Sequence, residues 1–233
     1  MKKVLLAAGI LLVSISSAFS QTADEVIAKY VDAIGGKQKW NSLNSLRVEG
    51  QIEVQGVSIP FTMNAVQNKG TRTDAEFQGA KIIEIVTPTA GWSLNGLQGQ
   101  SALQPMSEED LKSKVDGIEI QDQLVDYAAK GHTVELLGKD EADGNEYFKL
   151  KIVTKLGNEK VHFIDTKTYL IYKTETTIKA NGQEVKQEVK FLDYQTLDNG
   201  IKMSFKQEMG PMMMVSKKVT VNPTVDESLF KGN

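Results

Sequence analysis

Few side chains in this sequence are of the types that do chemistry, and those few are poorly spaced for it. The 233 residues include two histidines and no cysteine. His132 stands beside Gly131, and His162 sits between Val161 and Phe163 in an alternating, strand-like run. Neither has a serine or cysteine partner in a nucleophile motif, and no H-E-x-x-H occurs, so hydrolysis at either histidine is not expected. Asp140, Asp143, Asn145 and Glu146 crowd together like a calcium loop, but the ligand spacing fails and Asp143-Gly144 reads as a hairpin turn. Gly96 and Gly99 are not followed by the lysine and hydroxyl residue of a phosphate cradle. The expectation is a protein that is not an enzyme and carries no metal or cofactor.

Softer chemistry remains. Met203, Met209, Met212, Met213 and Met214 gather around one prospective hairpin, and Met63 belongs to another. The unbranched thioether adapts to irregular apolar partners, which suits ordinary core filling or a surface that takes flexible acyl chains. Trp92, Leu94 and Tyr127 are candidates for the same surface.

The stretch Leu46–Ala65 is the element that must position such a surface. Its apolar residues fall on alternate positions, Leu46, Val48, Ile52 and Val54, change parity across Gln55-Gly56, and resume at Val57, Ile59, Phe61, Met63 and Ala65. A hairpin with a two-residue turn sets Val54 against Val57, Ile52 against Ile59, Val48 against Met63 and Leu46 against Ala65, making one face apolar. Gly50 falls opposite Phe61, whose ring can cover the bare backbone. Arg47, Glu49 and Glu53 take the other face. A type I′ turn needs positive φ at Gln55, where asparagine or aspartate is the usual residue.

Before the hairpin, Thr22 with Glu25 forms a capping box for a helix with the stripe Val26, Ile27, Tyr30, Val31 and Ile34, ended by Gly35. After it, Arg72 to Phe77, Lys81 to Thr87 and Gly91 to Asn95 read as strands, and Gly96 to Gln104 as a loop. Two helical starts follow, at Ser107 with Asp110 and at Asp116 with Glu119; the second helix carries Ile118, Leu124, Val125 and Ala128 and stops at Gly131. Strands then resume over Thr133–Leu137, Tyr147–Thr154, Lys160–Asp165, Leu170–Lys179, Gln183–Tyr194, Ile201–Glu208 and Met213–Val221. Asp143-Gly144, Gly157-Asn158, Asn181-Gly182, Asn199-Gly200 and Gly210-Pro211 punctuate them as turns. About a dozen strands with one apolar face exceed what an open twisted sheet holds flat, so the sheet curls into a barrel or half-barrel. The helices then cover its mouth, and the interior leaves room for a ligand.

The ends and composition set the compartment. Met1–Ser20 reads as a secretory leader: Lys2-Lys3, the apolar run Val4–Val13, and the small-residue exit Ala18-Phe19-Ser20, with cleavage before Gln21. A net charge of −3 makes nucleic acid an unsuitable partner. Without cysteine the exported chain has no disulfide and no thioether-linked lipid, and is expected to be soluble and held by its own core.

At this point the chain resembles the outer-membrane lipoprotein-sorting proteins related to the LolA-type periplasmic carriers. The likeness is carried by Ala23-Asp24-Glu25-Val26-Ile27-Ala28-Lys29-Tyr30 with Ile34-Gly35-Gly36-Lys37, by Gly91-Trp92-Ser93-Leu94-Asn95, Met106-Ser107-Glu108-Glu109 and Leu124-Val125-Asp126-Tyr127, and by Phe163-Ile164-Asp165-Thr166-Lys167-Thr168-Tyr169-Leu170. The resemblance implies an unclosed antiparallel barrel of about eleven strands over residues 21–233, a helical lid over about 106–130, and a periplasmic carrier of lipoprotein acyl chains or other lipid. Inner- and outer-membrane transport proteins would be its partners. The expected cavity is lined by Val48, Ile52, Ile59, Phe61, Met63, Trp92 and Leu94, under a lid of Leu111, Ile118, Leu124 and Val125. The alternative is a sensor or interaction module on the same fold. One departure stands out: where the LolA-type carriers place a lid-closing arginine, this sequence reads Gln67-Asn68-Lys69-Gly70, with Arg72 a little further on.

Overall fold

The computed structural model describes residues 21–180 and 183–232; the leader expected over 1–20 and the Asn181-Gly182 turn lie outside the described residues. Helix α1 (Ala23–Ala33) opens with the expected capping box, Thr22 Oγ1 accepting from the Glu25 amide at 3.2 Å and the Glu25 carboxylate accepting from the Thr22 amide at 2.9 Å. A short α2 (Lys37–Asn41) buries Trp40, whose indole N–H donates to the Ile34 carbonyl at 3.0 Å.

Strands β1 (Ser45–Val54) and β2 (Val57–Val66) pair in the expected register throughout. Gln55 accepts the left-handed conformation, with φ of 49° beside Gly56 at 80°. Gly50 is required on two sides. A Cβ there would stand 2.8 Å from the Phe61 ring and 2.2 Å from the Val215 carbonyl, where the β1 ladder shifts register.

The chain continues through β3 (Gly70–Phe77), β4 (Ala80–Val86), β5 (Gly91–Asn95), a 3-10 turn at Gly96–Gln98, a two-residue β6 (Gln104–Pro105) and α3 (Glu108–Lys114). A second 3-10 turn (Val115–Ile118) leads, by way of irregular turns, to β7 (Thr133–Ala142) and β8 (Asn145–Val153). Then come β9 (Glu159–Asp165), β10 (Ile171–Ala180), β11 (Gln183–Thr196), β12 (Lys202–Met209), β13 (Met212–Val221) and a last 3-10 turn (Glu227–Phe230).

All thirteen strands form one antiparallel sheet in the order β6-β5-β4-β3-β2-β1-β13-β12-β11-β10-β9-β8-β7, and it does not close. The number exceeds the eleven or so implied by the resemblance; β6, hidden in what reads as a loop, is one of the additions. The two ends of the chain meet at the β1/β13 pair, in the middle of the sheet. Its free edges, β6 and β7, are therefore joined by residues 106–132. That segment must cross from one wall of the half-barrel to the other.

Registered pairs carry one face around the sheet. Leu46, Val48, Ile52 and Val54 share it with Ile59, Phe61, Met63 and Ala65, with Ala75 and Ile82 on one side, and with Met212, Met214 and Val219 on the other. On the far wall the same inner face holds Leu150, Ile152, His162 and Thr174. Helix α1 lies against this face, and Val26, Ile27, Tyr30 and Ile34 pack with Leu46, Ala65, Phe148, Leu150, Ile152 and Ile164 as the main core. One half of the interior is thus filled by the chain itself.

Candidate functional site

A second, smaller apolar cluster lies further along the same inner face. Val48, Ile59, Phe61 and Ala75 are buried there, with Ile52, Met63, Phe77, Ile82 and Met214 half-buried against them. Five of the seven residues expected to line a cavity, Val48, Ile52, Ile59, Phe61 and Met63, come together in this cluster. Alternation puts them there, since the β1–β2 pairs Val48↔Met63 and Ile52↔Ile59 stack them on one side.

Trp92 and Leu94 do not join them. The register runs Trp92↔Ile85↔Arg72↔Asn64↔Arg47, which places Trp92, and Leu94 two residues on, on the outer face. There the C-terminal tail covers the sheet: Phe230 is buried against Gly70, and Gly232 lies on the Trp92 ring. The alternation around β5 is real, but a second layer rather than the barrel interior answers it. Tyr127 is also elsewhere. Its hydroxyl donates to Asp24 at 2.6 Å, in a groove of about 530 Å³ with Ile27, Ala28 and Val31 of α1. Among the clustered methionines, Met212 and Met214 face inward while Met213, opposite Glu53 and Glu208, faces out.

The crossing segment divides in two. Ser107 caps α3 as expected, Oγ accepting from the Asp110 amide at 3.0 Å, and Leu111 and Ile118 cluster with Met106, Val115 and Val86. Ties to both walls hold it. Lys114 Nζ meets the inward Glu84 at 2.5 Å on β4, while Asn158, in the β8–β9 turn, donates to the Lys112 carbonyl at 2.9 Å and to Asp116 at 3.1 Å. The helix expected from Asp116 to Gly131 does not form. After Ile118 the amides find partners outside a helical ladder: Gln67 Oε1 accepts from Ile120 at 2.7 Å and from Gln121 at 3.1 Å, and Asp122 accepts from Leu124 at 2.9 Å. Leu124 and Val125, expected on the lid, are consequently packed in the main core, 1% and 0% exposed among Val26, Ile27 and Tyr30.

The question of the closing residue is answered at the same place. Arg72 points to the outer face, forked onto Asp74 at 2.7–3.0 Å and donating to the Leu229 carbonyl at 3.3 Å. It makes no tie to the crossing segment. Gln67 and the Asn68 amide, which donates to the Ile118 carbonyl at 3.0 Å, hold that segment instead. Replacing Gln67 by alanine leaves two half-buried amides without an acceptor, a cost of about 1–3 kcal/mol. The expected result is amide exchange over residues 118–124 faster by roughly tenfold or more, with exchange in β8 and β9 unchanged. Uniform acceleration throughout the sheet would show that Gln67 supports the whole fold rather than this segment.

The remaining polar groups are engaged structurally. His132 Nδ1 accepts from the Lys155 amide at 3.0 Å and Nε2 lies 3.1 Å from Glu119, so both ring nitrogens are occupied. His162 Nδ1 lies 2.8 Å from Thr174 Oγ1, and burial with Lys160 nearby pushes its pKa down to about 3. The Tyr30 hydroxyl donates to Asp122 at 2.5 Å; burial, then the adjacent carboxylate, drives the phenol well above its ordinary range, and burial raises the Asp122 carboxyl. Asp143 and Gly144, with φ of 52° and 75°, make the β7–β8 turn, and the Asp143 carboxylate accepts from Tyr172 at 2.7 Å. Asp140 and Glu146 pair with Lys149 and Lys139. These carboxylates are spread along a hairpin, not gathered on one point.

No protein-family model matches the chain, and no curated protein does. Solved structures do. A LolA superfamily protein from Nitrosomonas europaea superposes with a TM-score of 0.57 at 12% identity, over 91% of this chain and 98% of that one. An outer-membrane-lipoprotein-sorting-type domain from Vibrio parahaemolyticus gives 0.55 at 12% identity, over 88% and 94%. A DUF1329 family protein from Desulfovibrio piger gives 0.55 at 14%, over 88% and 97%. The chain therefore has the unclosed-barrel fold of LolA superfamily proteins, nearly end to end.

Proposed function

We propose that this chain, built on the fold of the LolA superfamily, is a periplasmic carrier that shields acyl chains of lipoproteins or other lipids. The observation that carries the reading is the continuous apolar inner face of Val48, Ile52, Ile59, Phe61 and Met63, lying beside a segment that ties one wall of the half-barrel to the other. Ile52, Met63, Ile82 and Met214 are only half-buried on that face, and the apolar surface they leave to water favours an apolar guest. Met63 and Met214 fit a guest of variable shape. Leu111 and Ile118 on the crossing segment would close over it, with Gln67, Glu84 and Asn158 as the latches. The one histidine–hydroxyl pair among the described residues, His162 with Thr174, is buried, and His132 is engaged by Glu119 and the Lys155 amide, which supports carriage rather than turnover.

The test is direct. Protein exported and purified without detergent, with Gln21 as its N-terminus, is expected to yield acyl chains in an organic extract read by mass spectrometry. After delipidation, titration with a long-chain fatty acid is expected to show a negative heat-capacity change and little dependence on salt. An extract free of acyl chains, together with no heat on titration, would sink the carrier reading and favour an interaction module on the same fold.

A further inference from the structure

Asp24, Ile27, Ala28, Val31 and Asp32 recur at intervals of three and four along α1 and form one stripe of that helix. The stripe begins and ends on a carboxylate, the two set about 12 Å apart along the axis at 1.5 Å per residue. It makes one wall of the groove of about 530 Å³ in which Tyr127 stands, and Ala128 and Ala129 line the groove beside that tyrosine. Ala28, Ala128 and Ala129 are exposed there, and their small size leaves the space that a larger side chain can enter.

Charge in the groove is unbalanced. Asp126 is met by Lys37 at 2.5 Å and by the Asn41 amide at 2.8 Å, and Lys37 above all holds its carboxyl below the usual range. Asp24 has the neutral Tyr127 hydroxyl, and the exposed Asp32 joins none of the ion pairs among the described residues. A carboxylate in the last turn of a helix opposes the helix dipole, so Asp32 does nothing for α1 itself. The other lysines of these two elements are taken: Lys29 donates to the Tyr169 hydroxyl at 3.1 Å, and Lys130 meets Glu119 at 2.6 Å and the Asp122 carbonyl at 2.8 Å. Two carboxylates therefore bracket an apolar strip without a counter-charge.

We infer that this groove is the docking site of a partner protein that presents an amphipathic helix, with apolar side chains for Ile27, Ala28 and Val31 and with lysine or arginine two turns apart for Asp24 and Asp32. Helix-in-groove recognition reads anchors at i, i+3, i+4 and i+7, the spacing that the stripe itself displays. The surplus of negative charge repels anionic headgroups and nucleic acid and selects a basic segment. A contact of one groove is small beside a standard protein interface, so the association is transient and sensitive to salt. The inference stands whether or not the inner face carries lipid, since none of the residues of that reading lines the groove.

The experiment is titration of the mature chain into a labelled, capped peptide of leucine and lysine in amphipathic helical order, with a leucine–glutamate peptide of the same order alongside, and amide exchange of the complex. The leucine–lysine peptide is expected to bind, more weakly as salt rises, and to slow exchange over 24–34 and 126–131; the glutamate peptide is not. Ala28→Trp, which fills the groove without a change of charge, and Asp32→Lys, which reverses one end of it, should each weaken binding by about tenfold or more. Both positions are exposed, so the fold is kept. Glu76→Lys, the same charge change at an exposed position on β3, should bind as wild type. No binding by the wild type, full binding by either groove variant, or an equal loss with Glu76→Lys would each overturn the docking site. Sedimentation and flotation with phosphatidylglycerol vesicles complete the test on wild type and Ala28→Trp. A dimer or a vesicle complex that the tryptophan abolishes would give the groove to a second copy or to lipid, and would overturn the basic helix.

Discussion

Leu124→Asp is expected to leave the protein unfolded at neutral pH, whereas Leu111→Asp should leave it folded. Leu124 is 1% exposed, packed in the main core with Val26, Ile27 and Tyr30 of α1. Truncation to alanine there should cost ~2–5 kcal/mol. A carboxylate without a partner adds several kcal/mol more, and Asp122, two residues away and already held by Tyr30, would repel it. Against a total stability of about 5–15 kcal/mol, little would remain. Leu111 is half-buried on α3, in the small cluster with Val86, Val115 and Met106. An aspartate there can turn to water, so denaturant unfolding should report a modest loss and the circular dichroism of the sheet should persist. The pair of variants locates the hinge. If Leu124→Asp folded as well as Leu111→Asp, the whole of residues 106–130 would act as a detachable cover, and the boundary drawn here after Ile118 would be wrong.

That boundary is a place where local sequence misleads. Asp116 with Glu119 has the spacing of a capping box, and Ile118, Leu124 and Val125 have a helical rhythm, but Gly117 weakens the first turn. The decisive competitor, Gln67, lies more than fifty positions away in sequence and takes the Ile120 and Gln121 amides. The β1–β2 hairpin shows the opposite case. Every pair in it was legible, because parity, turn length and the demand for glycine opposite Phe61 all point to one register. The face of Trp92 was not legible from its own strand. A signal did exist in the neighbouring run Ile82-Ile83-Glu84-Ile85-Val86, apolar on both sides and so marking a strand covered twice. The second cover, Phe230 and Gly232, comes from the C-terminal tail and leaves no trace in the local pattern. The position of Arg72 was likewise set by parity: it shares a face with Asn64 and Ile85, on the outside, where Asp74 two residues on can meet its guanidinium.

Acid should destabilise the fold through His162, and by more than most single substitutions. The ring is buried on the inner face in register with Leu150 and Thr174, its Nδ1 paired with the threonine hydroxyl, so the interior holds it neutral. Burial and Lys160 depress its pKa to about 3, against 6.5 for the exposed residue. Since the folded value lies below the unfolded one, the unfolded chain binds the proton more readily across that interval. Stability is therefore fully present above pH 6.5 and is lost as pH falls toward 3. The slope approaches about 1.4 kcal/mol per pH unit, a few kcal/mol over the interval. His162→Gln keeps a group able to bond Thr174 but removes the titration. Its unfolding free energy should be lower than wild type at pH 7.5, from imperfect packing, and should decline less steeply with acid, so that the two curves converge or cross near pH 4–5. Urea titrations of both proteins at closely spaced pH values measure this. Parallel curves from pH 7 to 4 would mean that His162 is reached by water and charges in place, and that the inner face beside Thr174 is open to solvent.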